Sequence, residues 1–268
     1  MAGRSASSVD AGYALSNSWE RARQRLAQLE ATYDEASFRR AAALGVGPGW
    51  RCLDAGAGHG SFARWLADRV GGDGHVLAVD VDVRLLEEAE PPGVEIRRLD
   101  LATDPLPGGF DLVHTRLVLL HLPQRDEILR RLAAAVRPGG LLMIEEDDVH
   151  PLSANPPGPY RDAWDAFMTF MRRAGLDGEW ARGLPERLEA LGLADVGAEL
   201  DGQLFPGRSD TARFWSLTWL EVRDRAAALG IDPEVLDRGR EALEDSSRWF
   251  LGPARVIAWG RVPGHQAR

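Results

Sequence analysis

A glycine-rich loop between a short apolar segment and an amphipathic helix is the stretch of this 268-residue chain best suited to hold a ligand. The apolar segment ends at Asp54, and glycines follow at positions 56, 58 and 60. Glycine is needed where a backbone turns sharply and approaches a ligand closely, because a Cβ atom would stand in the way. The loop therefore predicts a small ligand lying across the carboxyl end of a strand, at the mouth of a doubly wound sheet.

The spacing of the glycines distinguishes between nucleotide ligands. A dinucleotide-binding loop has glycines at relative positions one, three and six, and the sixth position here is Ser61. Asp54 would also repel a pyrophosphate, whereas it suits an ammonium group. The stretch resembles motif I of the class I S-adenosylmethionine (SAM) methyltransferases, Asp/Glu-x-Gly-x-Gly-x-Gly. The resemblance implies that Asp54, Gly56 and Gly58 bind SAM. The alternative is that these glycines serve only a tight strand-to-helix turn.

Two further acids follow predicted strands. Asp80 ends an apolar strand about 20 residues after the glycine loop, where an acid can accept both hydroxyls of a ribose. Dinucleotide-binding proteins use the same device, so Asp80 alone does not separate the two families. The resemblance implies that Asp100 accepts a hydrogen bond from the adenine amino group, while the N–H of Leu101 faces a ring nitrogen. It also places Val81 in the cofactor site. The alternative for Asp100 is a surface position in a turn.

The predicted fourth strand, residues 110–115, opens with Phe-Asp and is followed by a His-Leu pair. This segment resembles the ubiquinone/menaquinone-type and actinobacterial natural-product methyltransferases. In that family the backbone around Thr115 and Arg116 would hold the methionine end of SAM, and Tyr13 in the N-terminal leader could hydrogen-bond the cofactor. We expect His114, inside the alternating strand, to be a packing histidine with satisfied hydrogen bonds.

Candidate general bases lie near the expected methyl group. The fifth strand ends in Glu-Glu-Asp-Asp-Val-His, and alternation along it predicts that some of these acids face the cleft and others face solvent. We take His121, His150 and Asp147 as the candidate catalytic residues. A metal site formed by Asp147, Asp148 and His150 is conceivable, but the fourth strand lacks the acid found there in cation-dependent O-methyltransferases. We therefore expect no metal.

Two aromatic-rich insertions are candidates for a lid over the acceptor. The first carries Trp164 and Phe167 at helical spacing, and the second carries Trp215 and Trp219 on one stripe. Such stripes often belong to a hydrophobic core, but insertions at the carboxyl edge of a sheet are also where acceptor sites form. They predict a small, partly apolar acceptor. Modification of an oxygen of a secondary metabolite is favoured, with nitrogen or carbon next.

Composition excludes several other classes of function. The net charge of −9 and the absence of a basic run argue against nucleic-acid binding. All 32 basic residues are arginine, so lysine chemistry is excluded. With Cys52 as the single cysteine, no disulfide can form within the chain. No segment is typical of a signal peptide or membrane span. We expect a cytoplasmic protein that binds neither nucleic acid nor membranes, and that can form a homodimer.

The order of predicted elements indicates an α/β fold: a doubly wound, seven-stranded, mostly parallel Rossmann-like sheet with helical lid insertions. By resemblance the strand order would be 3-2-1-4-5-7-6, with the seventh strand antiparallel. We expect two helices before the first strand. The predicted divisions are an N-terminal helical cap (1–45), a SAM-binding core (46–150), a lid insertion (151–184), a core continuation (185–206), a second lid insertion (207–252), and a final core strand and tail (253–268).

Two other functions remain open from the sequence. The fold can bind SAM and catalyse a non-methylating reaction such as cyclisation, because intact motifs do not reveal whether the methyl group moves. A nicotinamide-dependent oxidoreductase is the other alternative, although the glycine spacing and Asp54 argue against it.

Overall fold

Strands and helices alternate along the chain as the apolar segments predict. The computed structural model describes residue 15 and residues 19–264. The strands are β1 (Arg51–Ala55), β2 (His75–Asp80), β3 (Val94–Arg98), β4 (Phe110–Arg116), β5 (Val136–Asp148), β6 (Ala194–Pro206) and β7 (Trp249–Arg261). The α-helices are α1 (Ala22–Ala43), α2 (Ser61–Val70), α3 (Arg84–Ala89), α4 (Arg125–Ala135), α5 (Pro159–Arg173), α6 (Leu184–Ala190), α7 (Asp210–Ala228) and α8 (Pro233–Ala242). Short 3-10 helices span Leu119–His121, His150–Ala154 and Trp180–Gly183.

The seven strands form one sheet in the order β3-β2-β1-β4-β5-β7-β6. β1 to β5 pair in parallel, whereas β7 runs antiparallel to both β5 and β6. The predicted fold class, strand order and antiparallel seventh strand are confirmed. This order places the carboxyl ends of β3, β2, β1 and β4 side by side, so the residues that follow those strands lie along one edge of the sheet.

Alternating side chains of the central strands enter two separate hydrophobic cores. Cys52 packs on one face with Phe62 and Leu66 of α2. Leu53 packs on the other face, where Leu129 of α4 lies. Because both faces are covered by helices, residues 52–55 of β1 are all buried rather than alternating between core and solvent. The strand therefore holds the glycine loop on a rigid, fully buried base.

The segment before β1 differs from the prediction. We expected two helices, but one continuous helix, α1, spans Ala22–Ala43. Its sequence contains neither glycine nor proline to interrupt it, and it ends before Gly45, whose φ of +91° suits a residue without a Cβ. A single long helix reaches further across the sheet edge than two short ones. Tyr13 lies outside the described residues.

A third hydrophobic cluster joins α1 to the two insertions. Tyr33 of α1 packs edge-on against Phe214 of α7, with ring centroids 6.1 Å apart. Asp232 caps α8, since its carboxylate accepts a hydrogen bond from the Glu234 N–H. Strand β7 begins at Trp249, earlier than the predicted division at residue 253, because β6 is equally long and pairs with it to its end.

No described helix combines the length and the apolar character needed to cross a membrane.

Candidate active site

The glycine loop adopts backbone angles that require glycine. Gly56 has a φ of +82°, and a Cβ there would lie 2.3 Å from Cγ2 of Val118, in the segment after β4. Gly58 also has a positive φ, +60°. The N–H groups of Gly56 and Ala57 both donate to the Val79 carbonyl of β2. The loop is therefore fixed between β2 and the end of β4, where a side chain at position 56 does not fit.

The Asp80 carboxylate is bound by backbone N–H groups on both of its oxygens. Oδ2 accepts from Gly58 N–H at 2.9 Å, and Oδ1 accepts from Asp82 N–H at 3.0 Å. Burial raises the pKa of Asp80 to about 6, and these two hydrogen bonds limit the rise. Each oxygen keeps further acceptor capacity, which suits a pair of hydroxyl donors. Val81 beside it is 36% exposed.

Asp100 shapes the turn that follows β3. Its Oδ1 accepts from the Ala102 N–H at 2.8 Å, while its own N–H donates to Oδ2 of Asp104. Leu101 is buried in the core below the sheet edge. The turn interpretation of Asp100 and the adenine interpretation are compatible, because the second carboxylate oxygen remains available.

Helix α1 crosses above the glycine loop and supplies polar contacts that the sequence analysis missed. Glu30 accepts a hydrogen bond from the Ser61 N–H at the start of α2, and Asp34 accepts one from the Ser61 hydroxyl. Asp34 also lies 2.9 Å from Nη2 of Arg116, at the end of β4. The signal that could have found these contacts is the pair of acids four residues apart on one helix face.

Asp54 and His114 form a buried pair between β1 and β4. The two residues are opposite each other in the sheet register, and His114 Nδ1 lies 2.8 Å from Asp54 Oδ1. The other ring nitrogen lies 3.1 Å from Glu145 Oε1 of β5. His114 is 1% exposed. It is therefore a histidine whose ring nitrogens both have partners, as expected.

The end of β4 leaves one polar atom without a partner. Thr115 is fully buried, and its Oγ1 has no hydrogen-bond partner among the described residues. Arg116 turns its guanidinium toward α1, where it donates to the Ser37 hydroxyl at 2.9 Å. The sequence predicts that the backbone of this segment, rather than its side chains, holds the methionine end of SAM. The contact between Arg116 and Ser37 helps to hold that backbone in place.

The expectation that some of the acids at the end of β5 face solvent is wrong. Glu145, Glu146, Asp147 and Asp148 are all buried, at 0%, 0%, 6% and 8% exposure. Alternation still sends them to opposite faces, but β5 lies inside the sheet and both faces are covered. Glu146 accepts hydrogen bonds from the N–H groups at the start of the 3-10 helix after β4, and burial raises its pKa to about 8.

A small cavity of about 70 Å³ lies above this end of β5. Its walls come from α1, α5, α7 and the segment after β4, and they are mainly aromatic and aliphatic. The predicted lid residues Trp164, Phe167 and Trp215 line it. Trp219, one helical turn after Trp215, is not part of the cavity wall and is fully buried in the third hydrophobic cluster.

Asp147 is the acid that lines this cavity. Its Oδ2 accepts a hydrogen bond from the Tyr33 hydroxyl at 3.0 Å, whereas Oδ1 is buried with no partner among the described residues. Burial raises the pKa of Asp147 to about 6, against the lowering influence of Arg255 and of the Tyr33 hydrogen bond. The sequence analysis missed Tyr33, which lies 114 residues away along the chain.

The two histidine candidates differ in position. His121 lines the cavity with Asp147, and its pKa is lowered to about 3 by burial and by the charges of Arg25 and Arg125. His150 is exposed at the start of a 3-10 helix and is not part of the cavity wall. The structure therefore brings His121 and Asp147 together and leaves His150 outside.

The residues considered for a metal have other partners. Asp148 forms two hydrogen bonds with the Arg182 guanidinium, at 2.9 and 2.8 Å. Within residues 19–264 and residue 15, no group of three or more histidines, cysteines or acids is arranged to hold a metal ion.

The sheet order, the glycine loop and the acids at three adjacent strand ends define a class of protein, the Rossmann-like SAM-dependent methyltransferases. A family model described as a methyltransferase domain matches residues 15–188, which is more than half of the chain. The chain therefore belongs to this methyltransferase family, whose cofactor is SAM.

Similar proteins include several named methyltransferases. Methyltransferase str2 of Strobilurus tenacellus is 36% identical over 101 residues, which are 37% of this chain and 36% of that protein. The ubiquinone/menaquinone biosynthesis C-methyltransferase UbiE of Laribacter hongkongensis is 33% identical over 111 residues, which are 38% of this chain and 45% of that protein. The matched segments span less than half the length of these curated relatives.

The fold is shared with solved structures of low identity. Phosphoethanolamine N-methyltransferase 2 of Haemonchus contortus, solved with phosphomonomethylethanolamine and S-adenosylhomocysteine (SAH), has a TM-score of 0.53 and 19% identity. The match covers 90% of this chain and 52% of that protein. At this identity the likeness shows the fold alone.

Proposed function

We propose that this protein transfers a methyl group from SAM to an oxygen atom of a small, partly apolar acceptor, with nitrogen or carbon next as the methylated atom. The observation that carries the proposal is Asp147, a buried carboxylate with one oxygen that has no partner among the described residues, in the wall of a mainly apolar cavity. Membership of the methyltransferase family supports the transfer itself.

The groups at the sheet edge suit the three parts of SAM. Asp80 has acceptor capacity for the ribose hydroxyls, and the exposed Val81 can pack on the adenine ring that Asp100 would recognise. Asp54 suits the ammonium group, next to the loop that only glycine can form at position 56. These observations support a fit between the site and SAM.

The backbone around Thr115 and Arg116 would complete the methionine end of this site. A contribution from Tyr13 stays a prediction.

SAM supplies a methyl group that is already activated by a positively charged sulfur. The protein therefore has to hold a nucleophile in line with that group and exclude water, and correct positioning can supply most of the rate. The aromatic walls of the cavity, Trp164, Phe167 and Trp215, serve the second task because they offer few hydrogen bonds to water.

A hydroxyl acceptor must also lose its proton, and Asp147 is the base best suited to take it. With a pKa of about 6 its carboxylate is ionised at neutral pH, and Oδ1 is free to accept. His121, with a pKa of about 3, is a much weaker base. A positioned base contributes a factor of about 10²–10⁴ to the rate. We therefore assign proton removal to Asp147 and place His121 in the cavity wall.

The cavity must enlarge to admit a ring. Its volume is about 70 Å³, whereas a cavity of about 150 Å³ is needed to hold benzene. Helices α5 and α7 supply most of the aromatic wall, so their separation would open the cavity to an aromatic acceptor.

The test is a product analysis by mass spectrometry after incubation with SAM and matched sets of phenols, alkyl alcohols, amines and activated ring carbons. We expect phenol or alcohol products that gain one methylene in mass, together with an equal amount of SAH. Methylation confined to the amines or the ring carbons would refute the preference for oxygen. Conversion of an acceptor with no change in mass and no SAH would instead support the cyclisation alternative.

A thermal-shift comparison separates the oxidoreductase alternative. SAH should raise the unfolding temperature of the protein, and NADH should not. Stabilisation by NADH alone would overturn the assignment of the glycine loop to SAM.

A further inference from the structure

His114 sits at the centre of β4 between two carboxylates. Its Nδ1 lies 2.8 Å from Asp54 Oδ1, and its Nε2 lies 3.1 Å from Glu145 Oε1. The Phe62 ring covers one face of the imidazole, with ring centroids 3.8 Å apart. With 1% of its surface exposed, the ring has no access to bulk water as an alternative partner.

The chemistry of imidazole decides the charge that fits this position. A neutral imidazole has one N–H, so one of the two carboxylates would face a ring lone pair; the imidazolium donates to both. Burial opposes the charge on His114, but its hydrogen bonds to Asp54 and Glu145 outweigh burial and raise its pKa. Burial likewise raises the pKa of Glu145, yet the His114 hydrogen bond and the Arg255 charge bring it down to about 2.

The number of charged groups around His114 also favours the imidazolium. The guanidinium of Arg255 contacts both Glu145 and Asp201, and that of Arg116 contacts Asp34. The ion pairs around His114 thus contain four acids, Asp34, Asp54, Glu145 and Asp201, and two arginines, Arg116 and Arg255, with Arg116 joined to Glu145 through the Ser37 hydroxyl. Within these ion pairs a neutral His114 would leave two carboxylates unmatched (four minus two), whereas a charged one leaves a single carboxylate (four minus three).

We propose that His114 is held as an imidazolium and acts as a positioning residue that orients Asp54 toward the ammonium group of the cofactor. Asp54 and His114 are opposite each other in the register of β1 and β4, so the hydrogen bond fixes the rotamer of the Asp54 side chain. The link to Glu145 anchors the imidazole on its far side. The positioning role rests on the proposed binding of SAM, while the charge state does not.

The charge state is tested on the wild-type protein by nitrogen-15 NMR of its histidine side chains. The signal of His114 is assigned by its absence in H114N. We expect both ring nitrogens of His114 to be protonated at pH 7 and at pH 8. A single protonated nitrogen at pH 7 would refute the imidazolium, whatever the behaviour of the variants.

The positioning role is tested by two substitutions that each keep one half of the imidazole. Asparagine places its amide near the position of Nδ1 and can still donate to Asp54, whereas glutamine reaches the position of Nε2 and can donate to Glu145. Calorimetric titration with SAH should give an affinity within about threefold of wild type for H114N, and about tenfold weaker for H114Q, since a hydrogen bond to a charged group is lost at Asp54. Equal losses in both variants would show a structural role only and overturn the positioning.

Failure of this inference is distinguishable from failure of the proposed function. Wild-type protein that does not bind SAH would refute the proposed function, and with it the positioning role, but would leave the NMR result standing. If either variant fails to fold, D54N provides the second measurement: loss of the Asp54 charge should lower the pKa of His114 in the NMR titration. An unchanged His114 titration in D54N would contradict the coupling between the two residues.

Discussion

The sheet edge that carries Asp54, Asp80 and Asp100 (the cofactor edge) and the cavity that contains Asp147 (the acceptor cavity) are built by different means. At the cofactor edge, Asp54, Asp80 and Asp100 lie at or just beyond strand ends, and the sheet order brings them together. In the cavity, Asp147 also ends a strand, but its hydrogen-bond partner Tyr33 comes from a helix far away in the sequence. One region is therefore assembled by local geometry repeated along the sheet, and the other by packing between distant helices.

The difference teaches how each region can be disturbed. Asp80 and Asp100 at the cofactor edge are held by backbone N–H groups, which no side-chain substitution removes, whereas Asp54 is held by the His114 ring. The cavity acid is held by one phenol hydroxyl. A substitution that changes SAH affinity or turnover alone would confirm that the two regions are independent. A substitution that lowers both would contradict it.

The largest effect is expected from Asp147→Asn, which removes the proposed base and keeps its shape. The turnover of a hydroxyl acceptor should fall by about 10²–10⁴, the usual contribution of a general base, while SAH affinity stays close to wild type. Asp148→Asn is the control, because Asp148 pairs with Arg182 outside the cavity wall. Turnover within a few-fold of wild type in D147N would mean that positioning alone drives the reaction.

Gly56→Ala tests the cofactor edge. Its positive φ costs about 1–2 kcal/mol for an alanine, and the close approach to Val118 adds about 1–3 kcal/mol for overpacking. The measurements are denaturant unfolding and SAH titration. Gly192→Ala is the control, since Gly192 after α6 has a similar φ of +80° but open space around it. Equal losses in the two variants would show that close packing at position 56 is unimportant.

Tyr33→Phe tests the hydrogen bond that holds Asp147 in the cavity wall. Loss of the hydroxyl should lower kcat/KM about tenfold, as a hydrogen bond to a charged group is removed. The base is active when ionised, so wild-type activity falls as the pH drops through about 6. The Tyr33 hydrogen bond lowers the pKa of Asp147, so the acidic limb of the rate profile should move to higher pH in the variant.

Tyr160→Phe is the control for that shift, because the Tyr160 hydroxyl donates to the Leu251 carbonyl instead. An identical pH profile in wild type and Y33F would show that the Tyr33 hydroxyl does not influence the pKa of Asp147.

The smallest effect is expected from Val81→Ala at the cofactor edge. If one methyl group of the exposed valine packs on the adenine ring, its loss should weaken SAH binding about fourfold, from roughly 0.8 kcal/mol per buried CH₂ group. Leu200→Ala is the control, because Leu200 is also exposed but lies on the edge strand β6. No change in V81A would place the adenine elsewhere.

Much of the cofactor edge was predictable because its determinants are local. The spacing of Gly56 and Gly58 after Asp54 and the acid at the end of β2 are visible in short segments, and the family resemblance supplied the strand order. The boundaries of the helices before β1 were predicted less well. One helix, α1, replaced the two that were expected, because its sequence contains no glycine or proline that would mark a turn.

The support of the cavity was not predictable for a physical reason. Tyr33, Ser37 and Asp34 are ordinary polar residues of an amphipathic helix until α1 packs over β5 and the glycine loop. Their partners are Asp147, Glu145 and Arg116, and no short-range pattern relates them. The burial of four consecutive acids had the same origin, because alternation gives the face of a strand and not whether that face is covered.

His150 and Trp219 show the limits of reasoning from order along the chain. Each follows a site residue closely in sequence, yet the chain turns into a 3-10 helix after β5, and α7 rotates Trp219 into the core.

Helix α1 directs Glu30, Tyr33, Asp34 and Ser37 from one face into both regions, at a spacing of three or four residues. A shift of α1 made to suit a new acceptor would therefore also disturb its contacts with Ser61 at the end of the glycine loop, and with them the proposed cofactor site. Attempts to alter acceptor preference by protein engineering are better directed to α5 and α7, whose aromatic side chains shape the cavity wall.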